Sequence, residues 1–313
     1  MPPHVVVVGA GMSGAACARV LADAGVRVQL RDRGRAAGGR AASRTLHGRR
    51  VDHGASYLTA RDPRFQQVVD GWTARGLARP WAPRFATAGP DGWGTTSDGP
   101  VRYGTPGGIR TLVEDLLTGL DVRLGTEVQR VGAGPHVDGD RADAVVLALP
   151  DPQAARLLGP DLPAERAAVE GRAWEPVVAL VAGFAERCWP FADGAFVEHP
   201  VLAWVADDGA RRGDGAPVLV AHSTGAFAAR HLEDPATAVP GVVTALREVL
   251  GVPAPQWEHV HRWSLARPAG PREEPFHLGD AGVGLCGDGW GSPRVETAWL
   301  SGTLLGEALL DRL

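Results

Sequence analysis

The fold is predicted from one segment near the start of the chain, Val5–Asp32, VVVVGAGMSGAACARVLADAGVRVQLRD. Its four consecutive valines are typical of a buried parallel strand, and the small residues after the glycines predict a helix from Met12 to Ala24. Val26–Leu30 then predicts a second strand, so the stretch forms a strand–helix–strand unit. In this context a GxGxxG turn binds the diphosphate of a dinucleotide.

Each glycine of the turn has a separate predicted role. Gly9 permits the tight turn, Gly11 lets the backbone approach a diphosphate, and Gly14 allows close packing of the helix on the strand. The helix starts near Met12 and Ser13, where its free N–H groups and positive dipole end are directed at the phosphates. The alternative is a glycine-rich turn that binds nothing, and the complete strand–helix–strand context disfavours it.

Two further features distinguish between the possible dinucleotides. Asp32 ends the second strand, where its carboxylate can accept hydrogen bonds from ribose hydroxyls and disfavours a 2′-phosphate, so NADP is not expected. Gly38-Gly39-Arg40 follows, although a simple NAD-binding unit has no need of a second glycine pair with an arginine. In the longer FAD molecule this loop folds back over the diphosphate, and Arg40 supplies charge-assisted hydrogen bonds. A solvated basic loop is the alternative.

A third motif, Cys286–Asp288, stands at the end of a predicted strand near the C-terminus. Ser292 is the predicted N-cap and Pro293 the first residue of the helix that follows. A reduced flavin carries negative charge near N1 and the C2 carbonyl, and a helix N-terminus stabilises that charge. Asp288 can bind the ribityl chain. The alternative is a capped helix preceded by a turn aspartate.

Composition limits the possible functions. The chain has 313 residues and a formal net charge of −4, so no nucleic-acid partner is expected. Arginine supplies all 32 basic residues, and lysine is absent. The three cysteines lie far apart without a CxxC pair, so free thiols are expected. We find no signal peptide and no apolar run that could span a bilayer, which predicts a cytoplasmic protein without a membrane partner.

The order of elements predicts an α/β protein with two domains. Apolar strands at the start, the middle and the end of the chain are typical of one parallel sheet, as in a Rossmann-like domain. From Pro152 to Arg262 strand candidates dominate, which predicts an inserted domain with an antiparallel sheet. The predicted boundaries are residues 1–75, 104–155 and 264–313 for the FAD-binding domain, and 76–103 and 156–263 for the substrate domain.

Together these motifs resemble the bacterial renalase-like proteins of the flavin amine oxidase superfamily. The resemblance rests on GAGMSG, the acid with GGR, DxGAxYxTxRDxRF at Asp52–Phe65, ARPAG at Ala266–Gly270, and CGD with RVExAWLSG at Arg294–Gly302. It implies a p-hydroxybenzoate-hydroxylase-like fold that holds FAD non-covalently. It also implies oxidation of the 2- and 6-dihydro isomers of NAD(P), with molecular oxygen reoxidising the flavin to give hydrogen peroxide.

The predicted cofactor site combines the motifs with the resemblance. Within Asp52–Tyr57, a glycine–alanine turn followed by an aromatic residue can lie against an isoalloxazine ring, although a core tyrosine on a bend is equally consistent. By the resemblance, Ser13, Arg40, Ser56, Tyr57, Val128, Asp288 and Val295 match FAD-contacting positions. The full predicted set is Gly9, Gly11, Met12, Ser13, Gly14, Asp32, Gly38, Gly39, Arg40, Ser56, Tyr57, Val128, Gly287, Asp288 and Val295.

The substrate site is predicted from fewer residues. The resemblance matches His222 to a pocket histidine that hydrogen-bonds the substrate; a satisfied core histidine is the alternative. The predicted pocket also contains Trp204, Asp207, Trp263 and Arg267. Asp207 stands where relatives carry a neutral amide, and Leu265 where an aromatic residue is common, so the substrate can differ from that of the relatives. Hydride transfer from a dihydronicotinamide requires no acid or base, so no obligatory catalytic side chain is assigned.

Two alternatives stay open at this point. Typical amine oxidases of the superfamily place a lysine near flavin N5, and this chain has none, which favours the renalase-like function. A flavin-dependent amine or small-metabolite oxidase is the first alternative, favoured by Asp207 and Leu265. A flavin-binding protein without turnover is the second. No metal is predicted, because His259 and His261 share one strand face without a nearby carboxylate or thiol.

Overall fold

The structure is a computed structural model, and it describes residues 1–96 and 98–313. The strands, in chain order, are β1 (His4–Val8), β2 (Arg27–Asp32), β3 (Ser43–Leu46), β4 (Arg49–Asp52), β5 (Arg79–Ala82), β6 (Ala86–Gly89), β7 (Gly92–Thr95), β8 (Arg102–Gly104), β9 (Asp121–Leu124), β10 (Val131–Gly132), β11 (His136–Val137), β12 (Asp140–Arg141), β13 (Ala144–Leu147), β14 (Trp174–Gly183), β15 (Gly194–Val197), β16 (Leu202–Asp207), β17 (Val218–Ser223), β18 (Trp257–Pro268), β19 (His277–Leu278) and β20 (Val283–Leu285). The helices are α1 (Met12–Asp23), α2 (Pro63–Ala74), α3 (Arg110–Leu116), α4 (Asp151–Leu157), α5 (Pro163–Val169), α6 (Asp208–Arg212), α7 (Gly225–Ala229), α8 (Val239–Leu250), preceded by a 3-10 turn at Pro235–Ala238, and α9 (Val295–Leu310).

The first compact unit contains Met1–Ala41, Leu112–Trp174 and Arg267–Leu313. Its sheet has the strand order β19-β20-β13-β1-β2-β9, and all neighbours are parallel except β19 with β20. The strand β1 is central because its valines are buried on both faces. Helices α1 and α9 pack at very short range: a Cβ on Gly302 of α9 would lie 2.0 Å from the Ser13 carbonyl oxygen.

The second compact unit contains Ala42–Thr111 and Glu175–Ala266. Its largest sheet has the strand order β18-β14-β17-β16-β15-β6-β7. Most neighbours are antiparallel, and β15 with β6 is a parallel pair. Apolar side chains of this sheet, such as Leu180 and Leu219, form a buried core with Leu246 of α8.

The predicted fold class is confirmed: a mainly parallel Rossmann-like sheet and a mainly antiparallel sheet lie in separate units. The unit boundaries fall elsewhere than the predicted domain boundaries. Residues 42–75 and 104–111 group with the second unit, where the Asp52 carboxylate accepts a hydrogen bond from the Ile109 backbone N–H at 3.0 Å. Residues 156–174 group with the first unit, because Leu162 and Val169 fill its core. That the units act as cofactor and substrate domains stays a prediction.

One local expectation is wrong. The last helix begins at Val295 with Arg294 in the N-cap position and without a side-chain cap, so Ser292 and Pro293 lie in a bend ahead of it. Val128, whose contact with FAD stays a prediction, lies in the loop before β10 and is buried by apolar packing. Among the described residues, no helix combines the length and the apolar character that crossing a bilayer requires.

Candidate cofactor and substrate sites

The glycine turn after β1 has the geometry that its sequence predicts. Gly9 adopts φ +109°, and a Cβ there would lie 2.6 Å from the Ala148 carbonyl oxygen. A Cβ on Gly14 would lie 2.0 Å from the Gly9 carbonyl oxygen, so α1 approaches the strand as closely as only glycine allows. A Cβ on Gly11 would meet nothing within 4 Å. The turn is therefore tight on the protein side and open on the other.

The Asp32 carboxylate, at the end of β2, binds two backbone N–H groups. One carboxylate oxygen accepts the Ala10 backbone N–H at 2.7 Å, and the other accepts the Gly34 backbone N–H at 2.6 Å. Each carboxylate oxygen can accept a further hydrogen bond. The predicted contact with ribose hydroxyls stays a prediction, and the structure adds that Asp32 fixes the shape of the glycine turn.

The Gly38–Arg40 segment lies directly against the glycine turn. The Gly38 backbone N–H donates to the Ala10 carbonyl oxygen at 2.8 Å, and Gly38 forms a parallel bridge with Gly11. Gly39 adopts φ +53°, and a Cβ there would lie 3.4 Å from the Gly11 Cα. The two glycine motifs, separate in the sequence, thus form one backbone surface.

Arg40 reaches the C-terminal motif through a two-point ion pair. Its Nη1 donates to Asp288 Oδ2 at 2.9 Å, and its Nη2 lies 2.7 Å from Asp288 Oδ1. The two residues are 248 positions apart in the sequence. The face of the guanidinium lies over the ring of Trp174, with Cζ 4.8 Å from the ring centroid. The predicted diphosphate ligand and the predicted ribityl ligand therefore belong to one charged pair.

The C-terminal motif is also joined to α1. The Ser13 hydroxyl donates to Cys286 Sγ at 2.9 Å, and burial raises the pKa of the Cys286 thiol to about 12. The Gly287 backbone N–H donates to the Ser301 hydroxyl at 2.9 Å, and a Cβ on Gly287 would meet nothing within 4 Å. Val295, the first residue of α9, is half-buried. All three cofactor motifs of this unit therefore meet at the carboxyl ends of its parallel strands.

In the second unit, Ser56 and Tyr57 border an aromatic cluster. The Trp204 indole N–H donates to the Ser56 hydroxyl at 3.0 Å, and the Trp204 ring centroid lies 5.7 Å from that of Tyr57. Phe85 packs edge-on against Trp204 at 4.7 Å and contacts Trp81 at 5.0 Å. The cluster provides flat apolar faces of the kind that hold a planar ligand.

The segment before Tyr57 is fixed by the fully buried side chain of Arg211. Its Nη1 donates to the Ser56 carbonyl oxygen and its Nη2 to the Asp52 carbonyl oxygen, both at 3.0 Å. Arg211 also forms a buried ion pair with Asp208. Burial raises the pKa of Asp52, against the opposing effect of the Arg211 charge. Sequence reasoning missed Arg211, because nothing local distinguishes it from other surface-type arginines.

A second group of rings surrounds His53, which is 4% exposed. The His53 imidazole stacks on Trp263 with centroids 5.5 Å apart and lies 4.5 Å from the ring of His261. The Trp263 indole N–H donates to the His53 carbonyl oxygen at 2.9 Å. Burial lowers the pKa of His53 to about 3 and that of His261 to about 4, so both imidazoles are neutral at pH 7.

The remaining predicted pocket residues have different surroundings. His222 lies on β17, with its Cα paired to Trp204 on β16. Asp207 is buried and is the N-cap of α6: its carboxylate accepts from the Arg187 Nε at 2.7 Å, the Trp189 indole at 2.9 Å and the Ala210 backbone at 2.8 Å. Arg267 is exposed and belongs to the first unit. The structure thus gives Asp207 a structural role, and its contact with substrate stays a prediction.

Family models match nearly the whole chain. A model of an NAD(P)-binding Rossmann-like domain matches residues 7–72, and a model of flavin containing amine oxidoreductases matches residues 83–309. The second match spans well over half of the chain. The chain belongs to the flavin-containing amine oxidoreductase family. Its cofactor is FAD, and the predicted superfamily is confirmed.

Solved structures share this fold over their full length. Cyclohexylamine oxidase from Brevibacterium oxydans IH-35A has a TM-score of 0.79 at 15% identity, with coverage of 100% of this chain and 99% of that chain. A putative protoporphyrinogen oxidase from Exiguobacterium sp. 255-15 has the same TM-score and identity over 100% of both chains. Putrescine oxidase bound to putrescine has a TM-score of 0.76 at 16% identity, also over 100% of both chains. At these identities the likeness establishes the fold alone.

The first unit fits FAD on its own geometry. The open sides of Gly11 and Gly287 border space that a diphosphate and a ribityl chain can occupy, because no atom lies within 4 Å of a Cβ there. The N-terminus of α1 and the Arg40 guanidinium supply positive charge beside the Gly11 backbone. Asp32 retains acceptor capacity for hydroxyl groups. Among residues 1–96 and 98–313, no cluster of three or more His, Cys, Asp or Glu residues could hold a metal ion.

Trp174, Asp151 and Arg272 were also missed by sequence reasoning. The Trp174 indole N–H donates to Asp151 at 2.9 Å, and Asp151 accepts from Arg272 at 2.7 Å. They come from three parts of the first unit and share no motif. One signal was available: a proline-flanked aspartate directly after the apolar run that ends at Leu149 stands at the carboxyl end of a central strand, where ligand sites of α/β sheets lie.

Proposed function

We propose that the protein is an FAD-dependent oxidase that takes a hydride from a 2- or 6-dihydro isomer of NAD(P). The bound flavin supplies the redox chemistry, in which N5 accepts the hydride and molecular oxygen takes up the electrons to give hydrogen peroxide. The first unit binds FAD non-covalently, and the second unit orients the substrate and excludes water. Family membership supports the FAD oxidoreductase class, and the narrower substrate class is our proposal.

The observation that carries this proposal is the absence of lysine from all 313 residues. Typical amine oxidases of the superfamily use a lysine near flavin N5, and arginine cannot take over a role that needs a water-linked, readily deprotonated amine. Oxidation of a dihydronicotinamide needs no such group, because the donor carbon releases hydride without prior loss of a proton. A family member without lysine is therefore better suited to this donor.

The charges of the second unit agree with a dinucleotide substrate. By the resemblance a neutral amide is expected at the position of Asp207, and the charge of Asp207 would repel a diphosphate if it were free. Its carboxylate is instead buried against Arg187, which neutralises it. His53 and His261 are neutral at pH 7, since burial lowers both pKa values. The charges in this part of the second unit therefore do not disfavour binding of the uncharged dihydronicotinamide ring or of an anionic diphosphate.

The chain's own residues act by binding and orientation. In this proposal, Gly11, Gly39 and Arg40 hold the FAD diphosphate, Asp32 the adenosine ribose and Asp288 the ribityl chain. Met12, Ser13, Val128, Gly287 and Val295 complete the FAD site. Tyr57 and Trp204 present aromatic faces to the flavin and to the planar donor ring, and His222 hydrogen-bonds the carboxamide or diphosphate of the donor. Trp263 and Arg267 are further substrate contacts in this proposal.

An amine oxidase is the second candidate, because the family match and several fold neighbours are amine oxidoreductases by name. Anaerobic mixing distinguishes the two. Purified yellow protein is mixed with 6-dihydroNAD, 2-dihydroNADP, NADH, putrescine or cyclohexylamine, and the flavin absorbance is followed. We expect rapid bleaching with the two isomers only, and peroxide after air is admitted. Bleaching by amines alone would assign the second candidate, and no bleaching by any donor would point to a flavin-binding protein without turnover.

A variant of His222 and a control variant of His231 test the proposed contact with the substrate. We expect His222→Gln to raise KM for the dihydro isomer about tenfold with little change in kcat, because it removes uniform substrate binding. His231→Gln is the matched control in the same unit, since His231 contacts Thr237 and Phe227 rather than the aromatic cluster. Equal KM values for both variants would exclude His222 from the pocket.

A further inference from the structure

In the first unit, Arg40 begins a series of side-chain contacts with Trp174, Asp151, Arg272 and Trp290, here called the relay. The Arg40 guanidinium lies over the Trp174 ring at 4.8 Å, and the Trp174 indole N–H donates to Asp151 Oδ2 at 2.9 Å. Asp151 Oδ1 accepts from Arg272 Nη2 at 2.7 Å. Arg272 in turn lies over the Trp290 ring at 3.9 Å. Four successive contacts therefore connect Arg40 to the interior of the unit.

The inner part of this relay is rigid because it is buried and doubly anchored. The Asp151 and Arg272 side chains are 4% and 2% exposed. The same Arg272 Nη2 also donates to the Ala168 carbonyl oxygen at 3.0 Å, and the guanidinium face is held by the Trp290 ring. The two Asp151 oxygens accept from different partners, which fixes the direction in which the Trp174 N–H must point. The indole nitrogen is held by Asp151, and the far edge of the ring packs on Gly289, where a Cβ would lie 3.2 Å from Trp174 Cζ2, so that the ring face is turned to Arg40.

The contact between Trp174 and Arg40 uses a part of arginine that cannot form hydrogen bonds. The five N–H groups of a guanidinium lie in its plane, whereas the face is apolar and attracts an aromatic ring. Trp174 covers that face, so the ring contact does not compete with hydrogen bonds in the guanidinium plane. Asp288 takes one edge of the guanidinium through two contacts of 2.9 and 2.7 Å. The charge of Asp151 is compensated by Arg272 and therefore does not draw Arg40 away.

We infer that Trp174 is a positioning residue for FAD: it fixes the guanidinium plane of Arg40 beside Asp288, in the orientation from which Arg40 binds the FAD diphosphate. The inference rests on the proposed contact between Arg40 and the diphosphate, and goes beyond it by assigning the residues that orient the arginine. Asp151 and Arg272 act through Trp174 by holding its indole. Without this support the arginine keeps its charge but loses the geometry of bidentate phosphate binding.

A double-mutant cycle on FAD affinity tests the relay. Cofactor-free protein is titrated with FAD, and the dissociation constant is read from the change in flavin fluorescence. We expect Trp174→Phe to raise the dissociation constant about 3- to 10-fold, because a weaker ring contact remains and the N–H anchor is lost. We expect Arg40→Met to raise it about 10- to 100-fold, since a charged hydrogen-bond donor is lost. In the Arg40→Met background, Trp174→Phe should change it less than about twofold.

The outcomes separate the relay from simple structural support. Equal fold-changes for Trp174→Phe in both backgrounds would overturn the inference, because a residue that acts through Arg40 has no effect without it. Unchanged affinity in Arg40→Met would overturn the proposed diphosphate contact and the relay with it, whereas the FAD oxidase proposal would stand. If Arg40→Met binds FAD too weakly to titrate, Arg40→Lys takes its place, since an ammonium has no plane for the ring to orient.

Two controls complete the experiment. Trp93→Phe changes an exposed tryptophan of the second unit and should leave the FAD dissociation constant at the wild-type value. Urea unfolding of the cofactor-free variants measures any general loss of stability. A Trp174→Phe protein that loses stability without FAD, and loses affinity only in proportion, would show that the ring is structural and would refute the positioning role.

Discussion

In the first unit, the segments around the glycine turn meet through backbone atoms, whereas in the second unit the predicted ligand segment is held by side chains from distant elements. Gly11, Gly38 and Gly39 approach one another directly, without any side chain between them. Ser56, by contrast, is held by Arg211 and Trp204, which come from another part of the sequence. A site formed by backbone atoms can be recognised from local sequence motifs, whereas a site formed by side chains from distant elements cannot.

This difference has a consequence for stability. In the second unit, three arginines and three aspartates are joined by ion pairs below the ligand segment: Arg49, Arg211, Arg212, Asp52, Asp208 and Asp214. Removing one member of a buried network leaves an opposite charge without compensation. In the first unit, adding atoms at Gly9 or Gly14 is the damaging change, because a Cβ there would lie within 2.6 Å of a backbone oxygen.

The largest expected effect is from Arg211→Ala. It removes one of the two arginines that pair with the buried Asp208 carboxylate and frees the Asp52 and Ser56 carbonyl oxygens, so the free energy of unfolding should fall by about 3–5 kcal/mol. Urea unfolding measures this change. Arg84→Ala is the matched control, because Arg84 pairs with Asp98 at an exposed site and should lose less than about 1 kcal/mol. Similar losses in both variants would mean that the buried network does not hold the segment.

Next in size is Gly14→Ala. Its Cβ would lie 2.0 Å from the Gly9 carbonyl oxygen, so α1 must move away from the strand, and we expect a loss of about 2–3 kcal/mol. Gly71→Ala in α2 is the control, since a Cβ there meets nothing within 4 Å. That variant should gain about 0.5–1 kcal/mol from helix propensity. If Gly14→Ala were as stable as Gly71→Ala, the close packing of helix on strand would be disproved.

The same difference determines which parts of the fold and of the candidate sites could be predicted from the sequence. The strand–helix–strand start and the convergence of three glycine motifs were predictable, because each glycine has a local geometric reason that any GxGxxG unit shares. Trp174 and Arg211 were not predictable, because an indole N–H or a guanidinium finds its partner only after distant elements have packed. The compact units differ from the predicted domain boundaries for a similar reason: the partners of Asp52 are Ile109 and Arg211, far along the chain.

Asp207 illustrates the limit within a single residue. From sequence it is an unusual acid in a predicted pocket, and its charge suggests a change of substrate. In the structure it caps α6 and pairs with Arg187, so its charge takes part in contacts within the protein. An unusual residue in a predicted pocket indicates a change of substrate only where its side chain faces the ligand. Which way a side chain faces depends on tertiary packing.

Gly11→Ala tests whether the open side of the glycine turn contacts FAD. Gly11 has φ −85°, a value that alanine adopts freely, and its Cβ would meet nothing within 4 Å. We expect unchanged stability of the cofactor-free protein and an FAD dissociation constant raised about tenfold, or about 1.4 kcal/mol, because the methyl group occupies the space of the diphosphate. FAD titration and urea unfolding together test this. Unchanged FAD affinity would place the diphosphate away from Gly11.

The smallest expected effect concerns the histidines of the second unit and their response to pH. The titratable and charged groups that act on His53 are His259, His261, His222 and Arg44. Burial lowers the pKa of His53 from 6.5 to about 3 in the folded protein, so the unfolded chain takes up a proton below pH 6.5 that the folded protein refuses. Stability must therefore fall as the pH decreases from 7 towards 3, and His53 accounts for about 1 kcal/mol between pH 7 and 5.5.

His53→Gln isolates this contribution, because glutamine keeps a polar side chain without titrating. The free energy of unfolding of the variant, measured by urea at pH 7 and 5.5, should decrease less than that of the wild type by about 1 kcal/mol. His231→Gln serves as control, since His231 lies outside this ring cluster, and its pH dependence should follow the wild type. An unchanged slope in His53→Gln would mean that His53 accepts its proton in the folded state, and the neutral surroundings proposed for the donor ring would then be lost at mildly acidic pH.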